Sequence, residues 1–149
     1  MSNPKRNRKL HVLCGFLALF TADQAVAEGA LVSPDVVAVV EGGQWREDGL
    51  GEGNYRVVVV SQGFEHVSSR VVAEWKLAPS ERGRARIVHS VELVNGGFYS
   101  FGEPEISVSA GQTIVELKGT ATYSPSTTVV CRFGLAPGGG ILSIKACGD

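Results

Sequence analysis

The chain has 149 residues, of which 44% are hydrophobic and 19% charged, and its formal net charge at pH 7 is −1. A charge this close to zero gives no electrostatic footprint for DNA or RNA, so we expect no nucleic-acid partner. The sequence contains no run of roughly 20 consecutive apolar residues, the length that a membrane span needs.

Residues 1–27 have the order of features of a cleavable secretory signal peptide. A basic start is followed by the apolar run 12–20 and by small residues that end at Ala27. This run of nine residues, at about 1.5 Å rise each, is too short to cross a hydrocarbon core of roughly 30 Å. Cys14 lies inside the run rather than behind it, which argues against lipid attachment. We therefore expect an exported protein, periplasmic or extracellular, that comprises residues 28–149.

Removal of this leader makes the remaining chain acidic. The leader holds four of the fourteen Lys and Arg residues and one of the fifteen Asp and Glu residues, which leaves a net charge of about −4. The basic start is therefore a targeting feature, and the exported part has no basic surface for nucleic acid.

Residues 28–149 have the pattern of a single antiparallel all-β domain. They include eighteen glycines, which separate short runs of valine, isoleucine and threonine, and they show little helical periodicity. About 7–9 strands in this length predict a two-sheet β-sandwich with an immunoglobulin-like topology, and a small barrel is the alternative.

The first predicted strands are two unbroken valine runs, 36–40 and 57–60. Such runs favour strands that are central in a sheet or covered on both faces. The acidic, glycine-rich segment 45–54 predicts a solvated loop, with calcium binding as the alternative. The alternating segments 71–77 and 86–94 predict a hairpin, because a polar turn with proline and glycine joins them.

The C-terminal third predicts one long strand and a last hairpin. The long strand is 113–123, in which Val115, Leu117 and Tyr123 share the inward face. The hairpin pairs 129–133 with 141–146, and the turn between them is rich in glycine.

Cys131 and Cys147 are the only cysteines beyond the leader, so we expect a disulfide between them. On the last strand, Leu142 and Ile144 have the spacing of a core face, which places Cys147 on the opposite face. Since one residue of slip turns every side chain over, we expect a bulge here, or a strand that ends before Cys147.

Candidate partner-binding residues are Trp45 and the aromatic side chains of segment 96–102, which are Phe98, Tyr99 and Phe101. A short segment cannot bury three neighbouring rings in one layer, and aromatic rings are common at binding surfaces. The alternative is that Phe98 or Phe101 fills the end of the sandwich while Tyr99 covers its rim.

Catalytic, metal-binding and cofactor-binding residues are not predicted. His66 and His89 are the only histidines beyond the leader, and His89 lies on the apolar face of its strand, which favours a hydrogen-bonded core histidine. The G-x-S-x-G motif of many hydrolases is absent from the sequence.

The sequence therefore favours an exported, non-enzymatic binding or accessory protein that contacts another protein at a sheet edge or at its aromatic segment. A glycan-binding module of the cell envelope, acting through Trp45, Tyr99 and the acidic loop, is the second hypothesis. A secreted hydrolase is the third.

Overall fold

The computed structural model describes residues 33–79 and 83–148. The predicted signal peptide, residues 1–27, lies outside the described residues, so its cleavage stays a prediction. The described part contains a short 3-10 turn (Pro137–Gly139) and nine strands. The strands are β1 (Val36–Glu47), β2 (Gly51–Gln62), β3 (Ser68–Leu77), β4 (Arg86–Val94), β5 (Tyr99–Phe101), β6 (Glu105–Ser109), β7 (Gln112–Ala121), β8 (Ser124–Leu135) and β9 (Ile141–Lys145).

The strands form two antiparallel sheets, which confirms the predicted all-β, two-sheet architecture. Sheet one has the order β1-β2-β3-β4, and sheet two has the order β5-β7-β8-β9 with β6 also paired to β7. The chain thus completes one sheet before it starts the other. This order differs from the immunoglobulin-like topology that we expected, in which strands of one sheet come from separate parts of the chain. The physical reason is that short turns join most strands directly to their sheet neighbours.

A single hydrophobic core lies between the two sheets. The inward faces meet there, and within it the rings of Tyr55 and Trp75 pack edge to face with centroids 5.5 Å apart. Burial raises the pKa of the Tyr55 hydroxyl. The buried hydrophobic residues are Trp45, Tyr55, Val57, Val59, Val71, Ala73, Trp75, Phe101, Val115, Leu117, Val129, Cys131, Phe133 and Leu135.

The two valine runs have different environments. In β2, a central strand, Val57 and Val59 are completely buried. In β1, an edge strand, Val37 is 53% and Val39 46% exposed, so the prediction of a covered strand is wrong for the first run. An unbroken run of β-branched residues indicates a strand but does not distinguish an edge from a centre.

The predicted loop 45–54 is a tight hairpin. Trp45 pairs with Gly53 and Glu47 with Gly51, so the connection between β1 and β2 is a turn over 48–50. Strand pairing, which the glycine-rich composition concealed, therefore extends through most of this segment.

The strand predicted at 113–123 ends earlier, as β7 at Ala121. Val115 and Leu117 face the core as predicted, but Tyr123 lies in the two-residue turn between β7 and β8 and is 68% exposed. Ala121 pairs with Ser124 across this turn. The polar residues that seemed to end a strand therefore begin the next one.

The predicted disulfide between Cys131 and Cys147 is present, and Cys131 is completely buried. Both expected irregularities are found, because β9 ends at Lys145 and its pairing with β8 is shifted between Arg132 and Phe133.

The core face assigned to β9 is wrong by one residue. Ile141 lies opposite the buried Leu135, so Leu142 and Ile144 point away from the core and are 57% and 48% exposed.

No helix in the residues that the structure describes has the length and apolarity to cross a membrane.

Candidate functional site

The strongest candidate site is an exposed apolar surface where three connections meet at one end of the sandwich. The connections are β2–β3, β4–β5 and β7–β8. The His66 ring lies 5.0 Å from the Tyr123 ring, and the Thr122 amide donates a 2.8 Å hydrogen bond to the Phe98 carbonyl. We call this surface the aromatic end. Its members are Phe64, His66, Val67, Phe98 and Tyr123.

The four large apolar side chains of the aromatic end are presented to solvent. Phe64 is 97% exposed, Tyr123 68%, Phe98 61% and Val67 50%. Single exposed apolar residues are ordinary on a protein surface, but several on adjacent loops are more typical of a contact site.

Glycines in two of the connections permit the backbone conformations that place the Phe64 and Phe98 rings. Gly63 has a φ of +91°, and a side chain there would lie 2.5 Å from the His66 carbonyl oxygen, so only glycine permits the turn that projects Phe64. In the β4–β5 connection, a Cβ on Gly96 would lie 3.0 Å from the Phe98 ring. The Phe98 ring therefore lies directly over the backbone of Gly96.

The floor of the aromatic end is fixed to the core. Tyr99 is half-buried, and its hydroxyl donates a 3.3 Å hydrogen bond to the carbonyl of Cys147, a disulfide residue. Phe101 is only 4% exposed, and its amide donates a 2.9 Å hydrogen bond to the Ser69 hydroxyl. Of the three predicted rings, Phe98 is thus presented, Tyr99 lines the floor, and Phe101 fills the sandwich end, as in the alternative interpretation.

Trp45 lies away from these rings. It is 3% exposed, and its indole N–H donates a 3.1 Å hydrogen bond to the Asn54 carbonyl. Through its partner Gly53 it aligns with Leu77, nine residues along β3 from Ser68, which is about 30 Å at the usual strand rise. Trp45 and Tyr99 therefore share no surface that could bind one glycan.

Sequence reasoning missed Phe64, Val67 and Tyr123. The signal for the first two was available, because segment 63–67 joins two strands and carries a phenylalanine next to a glycine. Tyr123 was concealed by its apparent place in a strand.

The aromatic end carries a histidine, His66, but no lysine or arginine of its own. Its three connections, 63–67, 95–98 and 122–123, contain no Lys or Arg. Nearby, Arg70 is paired with Glu92. Hydrogen bonds from Asn95 and from Arg70 hold the pKa of the exposed Glu92 carboxyl below its ordinary value. With Glu65 next to Phe64, the surroundings are neutral to acidic, which disfavours nucleic acid or an anionic membrane.

The opposite end of the sandwich is covered by backbone. We call it the covered end, and it comprises Glu47, Trp75, His89 and the connection 136–139. The Trp75 indole donates a 2.8 Å hydrogen bond to the Ala136 carbonyl, and the His89 ring meets Trp75 edge-on at 6.1 Å.

An unusual polar pair lies at the covered end. Glu47 Oε2 and His89 Nε2 are 3.9 Å apart, too far for a hydrogen bond, and neither has another partner among the described residues. The predicted hydrogen bond of a core histidine is therefore missing at Nε2. A Cβ on Gly138 would lie 3.2 Å from Glu47 Oε1, so the turn packs closely over the pair. The described residues include no cluster of three or more metal-ligating side chains.

A groove of about 620 Å³ crosses the outer face of sheet two. Its charged side chains pair with one another, since Lys118 contacts Glu105 and Glu116, and Arg132 contacts Glu116. Hydrogen bonds from Lys118 and then Arg132 lower the pKa of the Glu116 carboxyl. These charges satisfy each other, which makes the groove a weaker candidate than the aromatic end.

Comparison of the chain with protein-family models, with curated proteins and with solved structures finds no match. The candidate site is therefore assigned from its own residues and geometry.

Proposed function

We propose that this chain is an exported, non-enzymatic binding or accessory protein whose aromatic end contacts a protein partner. The observation that carries the proposal is the exposure of Phe64, Phe98 and Tyr123 on three adjacent loops, above a Tyr99 that is hydrogen-bonded to Cys147. Exposed aromatic side chains on a preorganised scaffold supply a large contact area at low entropic cost.

The structure of the edge strands favours partner contact through the aromatic end rather than through addition of a partner strand to a sheet edge. The pairing of β1, β4 and β9 with their neighbours is interrupted by bulges or irregularities. The other edge strands, β5 and β6, have three and five residues. Bulges and short edge strands are the usual protection against addition of a foreign strand.

Two observations support a protein partner over other classes. The loops of the aromatic end contain no Lys or Arg for phosphate groups. The exposed rings also lie on three adjoining loops, and Tyr and Phe are enriched at the apolar centre of protein–protein interfaces.

Export rests on two further features. The leader has the order of a signal peptide, and the disulfide is of the kind that persists in oxidising compartments. The proposed setting is the periplasm or the extracellular space.

The test is affinity capture from the exported fraction with two matched triple variants. The first is Phe64→Ser, Phe98→Ser and Tyr123→Ser at the aromatic end. The control is Val108→Ser, Leu142→Ser and Ile144→Ser, which removes three exposed apolar side chains from sheet two. Far-ultraviolet circular dichroism verifies that both variants are folded.

We expect wild type and control to retain one or more specific proteins that the aromatic-end variant loses. The loss should be large, because truncation of a single hot-spot residue of an interface costs about 2 kcal/mol or more in binding free energy. Retention of every captured protein by the aromatic-end variant would show that this surface is not the contact site. Binding to a glycan array that survives in the aromatic-end variant would support the glycan hypothesis instead.

A further inference from the structure

The loop that carries Phe98 begins with an Asn-Gly pair at Asn95 and Gly96. Asn95 is exposed and follows directly after β4. Its side-chain amide donates a 2.8 Å hydrogen bond to Glu92 Oε1, and its side-chain oxygen accepts a 3.2 Å hydrogen bond from Gln62. The side-chain carbonyl is therefore held beside a hydrogen-bond donor.

The backbone nitrogen of Gly96 is available for reaction. Within residues 33–79 and 83–148, its N–H donates to no protein acceptor, and Gly96 is itself exposed. Because glycine has no side chain, its nitrogen is the least hindered of all for attack on the preceding side chain. The nearest obstacle to a Cβ here is the movable Phe98 ring at 3.0 Å.

We propose that Asn95 is a site of spontaneous covalent self-modification, in which its side-chain amide is converted to a carboxylate. Solvent base removes the proton of the Gly96 N–H, and the nitrogen attacks the Asn95 side-chain carbonyl carbon. A C–N bond forms to give a five-membered cyclic imide, and the side-chain amide nitrogen leaves as ammonia after it takes up a proton. Water then opens the ring at either carbonyl and yields aspartate or isoaspartate, with no oxidant or reductant required.

The hydrogen bond from Gln62 favours this reaction. The attack places negative charge on Asn95 Oδ1, and the Gln62 amide donates to that atom at 3.2 Å. A donor that already faces the atom on which charge develops stabilises the transition state.

The product changes the charge of the aromatic end. Glu92 loses the hydrogen bond from Asn95, which is the largest cause of its lowered pKa, and a second carboxylate appears beside it. Isoaspartate also adds a methylene to the backbone directly before Gly96, over which the Phe98 ring lies. If the proposed function is correct, the modification alters the contact surface as the protein ages.

The test is peptide mapping by mass spectrometry after incubation of the folded, disulfide-intact protein at mildly alkaline pH and physiological temperature. We expect aspartate and isoaspartate to accumulate at position 95 with time. Asn54 is the internal control, because Tyr55 follows it inside β2, and it should keep its amide. Gly96→Ala and Asn95→Gln should each slow the conversion severalfold, the first by hindering the nitrogen and the second by requiring a larger ring.

Two outcomes would overturn the proposal. One is that Asn95 keeps its amide in the folded protein over a period in which the urea-unfolded chain converts, because the fold would then protect the site. The other is that Gly96→Ala converts as fast as wild type. Since the readout is a mass, neither outcome depends on a partner, and the proposed function is tested separately. Loss of capture by Asn95→Asp would connect the two, and unchanged capture would exclude the effect on the contact surface.

Discussion

The two ends of this sandwich differ in whether their aromatic side chains are buried or exposed to solvent. At the covered end, the Trp75 indole is completely buried and hydrogen-bonded to the Ala136 carbonyl. At the aromatic end, Phe64 is almost completely exposed and packs against nothing that holds it in place. The covered end is thus built for stability, whereas the aromatic end leaves apolar area free for another molecule.

Glycine produces both arrangements. Gly138 and Gly139 have positive φ angles of 73° and 81° and bring backbone down over Glu47 and His89. Gly63, with a φ of 91°, turns the chain sharply so that the next residue points to solvent. The same conformational freedom therefore closes one end and displays rings at the other, and the difference lies in whether the neighbouring residues reach the core.

Replacement of Trp75 should have the largest effect, and it shows how much more the covered end contributes to the free energy of unfolding than the aromatic end. Trp75→Ala removes a buried ring and leaves the Ala136 carbonyl without its donor, so we expect a loss of about 3–5 kcal/mol in the free energy of unfolding. The matched change at the aromatic end, Phe64→Ala, should alter that free energy by less than about 0.5 kcal/mol. Urea denaturation measures both.

Similar losses for the two variants would contradict the comparison, because the exposed ring would then contribute to the fold as much as the buried one. Unchanged stability in Trp75→Ala would show that the covered end repacks around the cavity.

Removal of the disulfide tests the floor of the aromatic end. Cys131 and Cys147 are 16 residues apart, and closing a loop of this length stabilises a fold by roughly 3 kcal/mol in the chain-entropy account. Cys131→Ala with Cys147→Ala should therefore lower the urea midpoint. It should also free the carbonyl that receives the Tyr99 hydrogen bond, so the near-ultraviolet signal of Tyr99 should weaken. Tyr99→Phe is the control that removes this bond alone.

The architecture was predictable because alternation, turn residues and cysteine spacing are local. The segments 71–77 and 86–94 pair as predicted, and so do the last two strands. The strand order was not predicted correctly, because we expected each sheet to take strands from separate parts of the chain, whereas short turns join most strands to their sheet neighbours. The wrong face of β9 arises from its register: Ile141 lies opposite the buried Leu135, and the alternation within β9 does not reveal which residue takes that place.

The candidate site was predicted in part. Phe98 was found because an aromatic residue between glycines is a local signal, but Trp45 and Phe101 proved to be core residues. Burial is decided by the opposite sheet, which a single strand does not reveal. Phe64, Phe98 and Tyr123 lie on three loops that are distant in sequence and meet only in the folded protein, so the sequence alone did not place them at one end.

The smallest expected effect concerns the polar pair at the covered end. Because Glu47 Oε2 and His89 Nε2 already lack partners at a separation of 3.9 Å, removal of one breaks no hydrogen bond. His89→Phe, which keeps an aromatic ring against Trp75, should change the free energy of unfolding by less than about 1 kcal/mol. Adding Glu47→Leu should leave the protein as stable as wild type or slightly more so, since an unpaired polar group near the core is then replaced by apolar surface. A double-mutant cycle at neutral pH measures the coupling between the two positions. A coupling free energy above about 1.5 kcal/mol would show that the two side chains approach within hydrogen-bond distance in solution and stabilise the covered end as a charge pair.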